Sequence, residues 1–181
     1  MLASCFMIWV CNKPAAAPHC TDRKRWDVKT LTDAATNNIS FTYADTSISS
    51  LINIQPQVTV NNTTPRFGIE FRTYKILCRI REYKLSSDGD YHLVMEDIND
   101  PSKTMIGEIP DPNCGAVQNS SHIAEINLAR KTFENFVEVT SQVKPGIYII
   151  QGVAFYDQVH GQLGVAPNGI EIHPILNIVK Q

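Results

Sequence analysis

The sequence has no surplus of charge of either sign. Its 16 Lys and Arg stand against 18 Asp and Glu, a formal net charge of −2 over 181 residues. Without a positive surplus there is no global electrostatic reason to bind nucleic acid or an anionic membrane, and only a local patch can do so. Glycine and proline are sparse, 9 and 10 residues, which excludes collagen-like and linker-like chains. Apolar residues at 43% and charged residues at 19% are ordinary globular usage, which excludes wholesale disorder. No apolar run reaches the ~20 residues of a membrane-spanning helix. No CxxC framework prefigures structural zinc. No Walker, GxSxG, HExxH or GxGxxG motif supports the chemistry those motifs carry.

What is present begins with an apolar stretch, MLASCFMIWV, at residues 1–10. It is too short to span a bilayer, but it fits the apolar region of a secretory signal, and Ala15, Ala16 and Ala17 offer a cleavage-like site. Residues 1–17 therefore read as an export signal, and the protein is expected to be secreted or at the cell surface. The tetrad Leu2-Ala3-Ser4-Cys5 keeps a lipid anchor as a minor alternative, and a buried strand is the other reading of this stretch. Five cysteines occur, at positions 5, 11, 20, 78 and 114. Export removes the first two. Cys78 alternates with Ile76 and Ile80, which makes it a small buried hydrophobe. Cys20 and Cys114 are left as a disulfide for an oxidising compartment.

Residues 18–66 are rich in Thr, Asn, Ser and Asp and read as an irregular N-terminal extension, either packed on the following domain or partly mobile. Within it, 26–29 suggests a short strand and 47–54 one or two helical turns ended before Pro56. Trp26 is either a stacking platform for a ligand or, in preference, an anchor for the extension. Order becomes legible in residues 67–181. A long strand is expected over 69–84, with Tyr74, Ile76, Cys78 and Ile80 on one face and Thr73, Lys75, Arg79, Arg81 and Tyr83 on the other. Asp88-Gly89 marks a hairpin turn, followed by strands at 91–96 and 104–109. Ile126, Ala129, Phe133 and Val137 share a helical stripe within 121–137, with Ser120 or Ser121 as cap and Arg130 and Glu134 paired across one turn. Strands at 147–155 and 169–179 flank a glycine-bearing loop, and Pro174 suggests an edge or bulge in the last. The order β-β-β-α-β-β predicts a mostly β fold, a five-stranded OB-like Greek-key barrel, with an open α+β sheet as the alternative.

Two groups of residues carry possible chemistry. The larger is Asp157, His160, Gln162, Asn168, Glu171 and His173. Glu171 and His173 are two apart on a strand and share a face. The smaller is Asp90, His92 and Glu96, the last two sharing a face of the second strand. Such nitrogen and oxygen groups suit a divalent metal, held by His160, Glu171 and His173, or an acid/base pair. The competing reading is a hydrogen-bonded network that fixes the loop, and it is the one preferred here. Lys75, Arg79, Arg81 and Tyr83 form a basic face that either tracks a phosphate backbone or is simply solvated, and the net charge favours the second.

The run HGQLGVAPNGIEIHP at 160–174 is similar to a motif, HGQxGVAPNGIExHP, of an uncharacterised family of secreted bacterial OB-like proteins. Supporting matches are Asp88-Gly89-Asp90 with Tyr91-His92-Leu93-Val94, Glu108-Ile109-Pro110-Asp111-Pro112 with Cys114, Gly152-Val153 with Phe155 and Asp157, and Arg25-Trp26 with Val28-Lys29-Thr30. The resemblance covers most of the chain. It implies export and one compact domain, and carries no activity. Asp88-Gly89-Asp90 opening an OB strand also resembles the staphylococcal nuclease family, with Asp90 and Asp111 in place of two metal-binding acids. Between them, however, there is no arginine, only Lys103, so the guanidinium clamp on phosphate that this resemblance implies is lacking there. The expected function is a binding or interaction module for an oligosaccharide or a protein, with no transmembrane span. The alternative is a divalent-metal-assisted, nuclease-like hydrolase using the His/Asp/Glu cluster.

Overall fold

The computed structural model describes residue 20 and residues 24–138, 142–159 and 161–181. The expected export signal at 1–17 and His160 lie outside the described residues. Six strands occur among those described: β1 (Ser40–Thr46), β2 (Arg72–Leu85), β3 (Tyr91–Asp97), β4 (Thr104–Ile109), β5 (Tyr148–Tyr156) and β6 (Ile170–Lys180). The sheet runs β1-β2-β3-β4-β6-β5, and β2 also pairs with β5, so β2 to β6 close into a five-stranded barrel with β1 as an extra strand. β4 and β6 pair in parallel, while β2–β3, β3–β4, β5–β6 and β2–β5 are antiparallel. This is the OB-like barrel expected from the element order. The long β2 closes it. Its first half pairs with β5 (Thr73 to Cys78) and its second half with β3 (Cys78 to Leu85).

Four α-helical segments are described: α1 (Trp26–Lys29), α2 (Ile48–Leu51), α3 (Gly115–Gln118) and α4 (Ile123–Glu134). The main helix, α4, falls between β4 and β5 as expected. Its Ile126, Ala129 and Phe133 are buried, and Phe133 meets Tyr83 and Tyr91 edge-on at centroid distances of 5.2 and 5.1 Å. The serine cap takes a looser form. His122 is the N-cap residue with no side-chain bond, and Ser120 Oγ accepts from the His122 N–H. Arg130 lies 3.8 Å from Glu134, but it also donates to the carbonyls of Gly89, Ile109 and Pro110, tying α4 to the β2–β3 turn.

Tyr83 departs from the expected basic face. β2 carries an extra residue between Ile80 and Glu82, which face Met95 and Val94 of β3. A one-residue slip sends every later side chain to the other face, so Tyr83 turns inward onto Phe133. The basic residues that remain outside are engaged: Lys75 with Asp45 at 2.6 Å, Arg81 with Glu96 at 3.2 Å, and Arg79 with the Ile98 carbonyl at 3.0 Å.

The polar stretch before the barrel is part of the fold. β1, which has no counterpart in the sequence reading, pairs in parallel with β2, and residues 26–29 form a helical turn rather than a strand. Four-residue segments of this kind carry too little periodicity to be typed from sequence. The turn expected within 47–54 is α2, capped by Ser47 Oγ accepting from the Ser50 N–H. Val28, Leu31, Ile39, Ile48, Leu51 and Ile52 are buried. Trp26 is half-buried and packs on a second apolar cluster with Leu31, Ile39, Val117 and Val153, the anchoring role expected of it.

Two buried arginines clamp this stretch. Arg25 donates to Glu70 from Nη1 (2.9 Å) and Nη2 (2.6 Å), and to the carbonyls of Thr64, Pro65 and Tyr156. Arg66 donates twice to Asp33 and to the carbonyls of Val28 and Glu70. Cys20 and Cys114 are bridged, with Cα atoms 5.5 Å apart, and Cys78 is a free, buried thiol. The disulfide is compatible with an extracellular location. No described helix is long and apolar enough to cross a membrane.

Candidate functional site

Strand register builds the site. Lys84 of β2 faces His92 of β3, and His92 faces Glu108 of β4. β6 then runs parallel to β4 with Ile106 opposite Glu171 and Gly107 opposite Ile172, which brings His173 beside Glu108. A polar row thus crosses four strands. Glu108 sits at its centre, Oε1 at 2.7 Å from His92 Nδ1 and Oε2 at 2.9 Å from His173 Nδ1. His173 Nδ1 is also 3.3 Å from Glu171 Oε1. Lys29, from α1, reaches in to Asp157 Oδ2 at 3.2 Å and Glu171 Oε1 at 3.9 Å, with its ammonium over the Phe155 ring.

The backbone around this row has little freedom. Between Gly152 and Ala154 of β5 the register shifts, so β6 bulges around His173 and Pro174. A Cβ on Gly152 would collide with the Ile172 side chain and the Pro174 carbonyl, so only glycine lets the two strands approach there. The bulge fulfils what Pro174 suggested in the sequence.

Burial and charge set the protonation of the row. Burial alone would discharge the His173 ring, but the Glu108 carboxylate, helped by Glu171, lifts it to about 9. Burial also opposes the Glu108 charge, yet His173 and His92 hold that carboxyl well below the usual range. Glu171 goes the other way. Burial and the neighbouring Glu108 charge raise it, with Lys29 only partly compensating. Burial likewise works against the Lys29 charge, and Glu171, Glu108 and Asp157 outweigh it and hold the ammonium above the usual lysine range. Asp90 is pushed up to about 7, chiefly by burial and further by the Asp88 and Glu108 charges, against the pull of His173. Two carboxyls held high beside one held low is the pattern that separates acid from base roles.

The predicted residues divide accordingly. Asp157, Glu171 and His173 do share one neighbourhood, and Gln162 lines the cleft above it. Asn168 does not belong to the row. Its Nδ2 donates to the carbonyls of Leu51 and Ile54 and its Oδ1 accepts from the Ile170 N–H, pinning the loop to the N-terminal stretch. His92 is in the row, but Glu96 pairs with Arg81, four residues and ~13 Å along the strand. Asp90 lies beneath the row, Oδ1 accepting from the Asp111 N–H at 2.8 Å. Asp111 turns its own Oδ1 to Asn113, so the two acids of the nuclease resemblance do not converge as a pair of free carboxylates.

Sequence reasoning did not single out Glu108 or Lys29. A lone carboxylate in the apolar strand TMIGEI was the available signal for Glu108. Lys29 had none, since its contacts span 128 and 142 positions of chain.

Above the row lies a cleft of about 380 Å³. One wall is the β2–β3 turn with Ser86, Ser87 and Asp88, the other the β5–β6 loop with Asp157 and Gln162, and His92 and Glu108 lie at its floor. A smaller apolar pocket of about 70 Å³ adjoins it at Tyr83, Val94 and Leu163 and shares Lys84 and His92. No protein-family model matches the chain, and no curated protein matches it.

Proposed function

We propose that this protein is an exported binding module that takes a polar ligand, an oligosaccharide before a protein, in the cleft between the β2–β3 turn and the β5–β6 loop. The observation that carries the reading is where the cleft lies. OB barrels bind oligosaccharides and oligonucleotides on the face of their second and third strands, between these same two loops. Serine hydroxyls, an amide and a lysine at the walls suit sugar hydroxyls, and the neighbouring Leu163, 63% exposed, offers an apolar contact. The paired basic residues on β2 speak against an oligonucleotide. Export rests on the signal-like residues 1–17 and on the family resemblance of the 160–174 run, and the disulfide supports it.

The test is titration of the purified protein with a panel of cell-wall and capsule oligosaccharides, followed by amide chemical shifts. Binding should move resonances of residues 84–92 and 161–164, and Lys84→Ala and Leu163→Ala, both at exposed positions, should weaken it about tenfold each, at ~1.4 kcal/mol. Shifts confined to another face, or none with any glycan, would sink the reading. The second reading, a metal-assisted hydrolase, is favoured by the proximity of Asp90, Glu108 and His173. Turnover of a bound glycan or of nucleic acid with a divalent ion added would select it.

A further inference from the structure

Closure of the barrel leaves half of one strand open. β2 pairs with β5 only as far as Cys78 opposite Tyr148, and from Arg79 onward it pairs only with β3. Successive residues of a strand aim their N–H and C=O groups at alternate edges. Among the described residues, the stretch Arg79 to Tyr83 therefore turns main-chain donors and acceptors to an edge that no other strand covers.

This edge opens into a groove. A cavity of about 760 Å³ lies between residues 79–83 and the segment 142–147 that leads into β5. Bonds of its own hold that segment off the edge. Val143 bridges to Val137, the Lys144 N–H donates to the Phe136 carbonyl, and the Ile147 carbonyl accepts from the Gln181 N–H. Pro145 has no N–H to offer. A residue of a sheet strand occupies roughly 160 Å³, from ~3.4 Å of rise, ~4.8 Å to the next strand and ~10 Å between layers. The groove thus has room for about five strand residues, the length of edge that lines it. Ile80 and Val143, both of the main core cluster, give it an apolar side.

The charges along the edge set what fits. The extra residue in β2 puts Arg79 opposite Glu96 and Glu82 opposite Val94 of β3, so Arg79 and Glu82 stand as neighbours on the outer face. Glu96 takes Arg81 at 3.2 Å. Arg79 has the Ile98 carbonyl but no ion-pair partner among the described residues, and Glu82 has none either. An added strand is favoured when it sets an acid beside Arg79 and a base beside Glu82, with an apolar residue between them turned toward Ile80 and Val143.

We propose that the open edge of β2 at residues 79–83 takes an extended peptide of a partner protein as an added strand, about five residues long, apolar on its inner face and carrying one acid and one base on its outer face. Main-chain hydrogen bonds supply the affinity and the alternating side chains the selectivity. The groove is a second site beside the cleft, and the inference does not rest on the glycan reading.

The probe is the peptide acetyl-Val-Lys-Val-Glu-Val-amide, titrated into the full, isotope-labelled chain. It should move amide resonances of residues 79–83 and 142–147 and leave those of 86–92 and 161–164 in place. Arg79→Glu, at an exposed position, should weaken it about fivefold and reverse the preference toward acetyl-Val-Lys-Val-Lys-Val-amide. Of the two alternating sets of peptide N–H groups, one faces β2. Methylating that set should abolish binding, and methylating the other should leave it. The methylated peptides test the wild-type chain itself, so the answer does not depend on how the variant folds. Absence of binding, shifts confined to the cleft, tolerance of both methylation patterns, or an Arg79→Glu chain that binds both peptides as wild type does would overturn the proposal. A dimer in sedimentation that Arg79→Glu dissolves would also overturn it, because the edge then belongs to a second copy of the chain.

Discussion

Replacing Arg25 by methionine tests whether the N-terminal stretch is structurally part of the barrel. The guanidinium is 2% exposed and its partner Glu70 is fully buried, so solvent screens neither. All five N–H groups of Arg25 have acceptors: two carboxylate oxygens and three carbonyls, those of Thr64, Pro65 and Tyr156. Methionine fills most of the volume but, among the described residues, leaves the Glu70 carboxylate with only the N–H groups of Phe67 and Tyr156. Stranding one partner of a buried pair costs about 3–5 kcal/mol. At 2–4 °C per kcal/mol for a chain of this size, Tm should fall by roughly 6–20 °C. The double variant Arg25→Met/Glu70→Gln removes the stranded charge, keeps one acceptor oxygen for the backbone, and should lose less than the sum of the singles, with a coupling of about 1–3 kcal/mol. Urea unfolding of the four proteins measures this cycle. A loss below about 1 kcal/mol for Arg25→Met, the size of an exposed pair, would refute the buried clamp and with it the integration of residues 24–66.

Three further outcomes follow from the structure. Gly152→Ala should destabilise by about 1–3 kcal/mol, since its methyl group would strike Ile172 and the Pro174 carbonyl, and calorimetry showing an unchanged Tm would remove the close approach of β5 and β6. Reducing the Cys20–Cys114 bridge, which spans 94 positions, should cost up to ~4–5 kcal/mol by the chain-entropy model, while Cys78, its thiol pushed to about 12 by burial, should resist alkylation until the protein unfolds. Urea unfolding with and without reductant checks the first, and peptide mapping after alkylation checks the second. Stability should fall on acidification below about pH 4. Burial opposes the charge of Asp33 and Asp97, but Arg66 at the first, and the N–H groups of Ser49 and Asn99 at the second, hold both carboxyls below their ordinary value. Their contribution is therefore complete above the unfolded-state value and lost as pH falls through the folded one. Asp33→Asn should flatten the acid limb of a Tm-against-pH curve, and an unchanged limb counts against that pair.

The order of the barrel's elements was legible locally, and its closure came with the pairing of β2 and β5. Alternation in Tyr74, Ile76, Cys78 and Ile80, the Asp88-Gly89 turn, and the switch to a 3.6-residue period at Ile126, Ala129 and Phe133 are local signals, set by side-chain geometry along one element. They sufficed for the order β-β-β-α-β-β, while the pairing of Cys20 with Cys114 rested on Cys78's apolar neighbours together with the expected removal of Cys5 and Cys11 by export. The rest depends on contacts between segments distant in the chain. The bulge after Ile80 reverses Tyr83, and nothing in CRIREYK announces the extra residue. The stretch before the barrel looks irregular because its order comes from Arg25 meeting Glu70 and Arg66 meeting Asp33 across 45 and 33 positions. In the candidate site, the Glu171 and His173 pair was legible because the strand period alone aligns it. Glu108 joins them only through the parallel register of β4 with β6, and Lys29 only through the fold of the N-terminal stretch, since no local pattern encodes which strand will lie beside which.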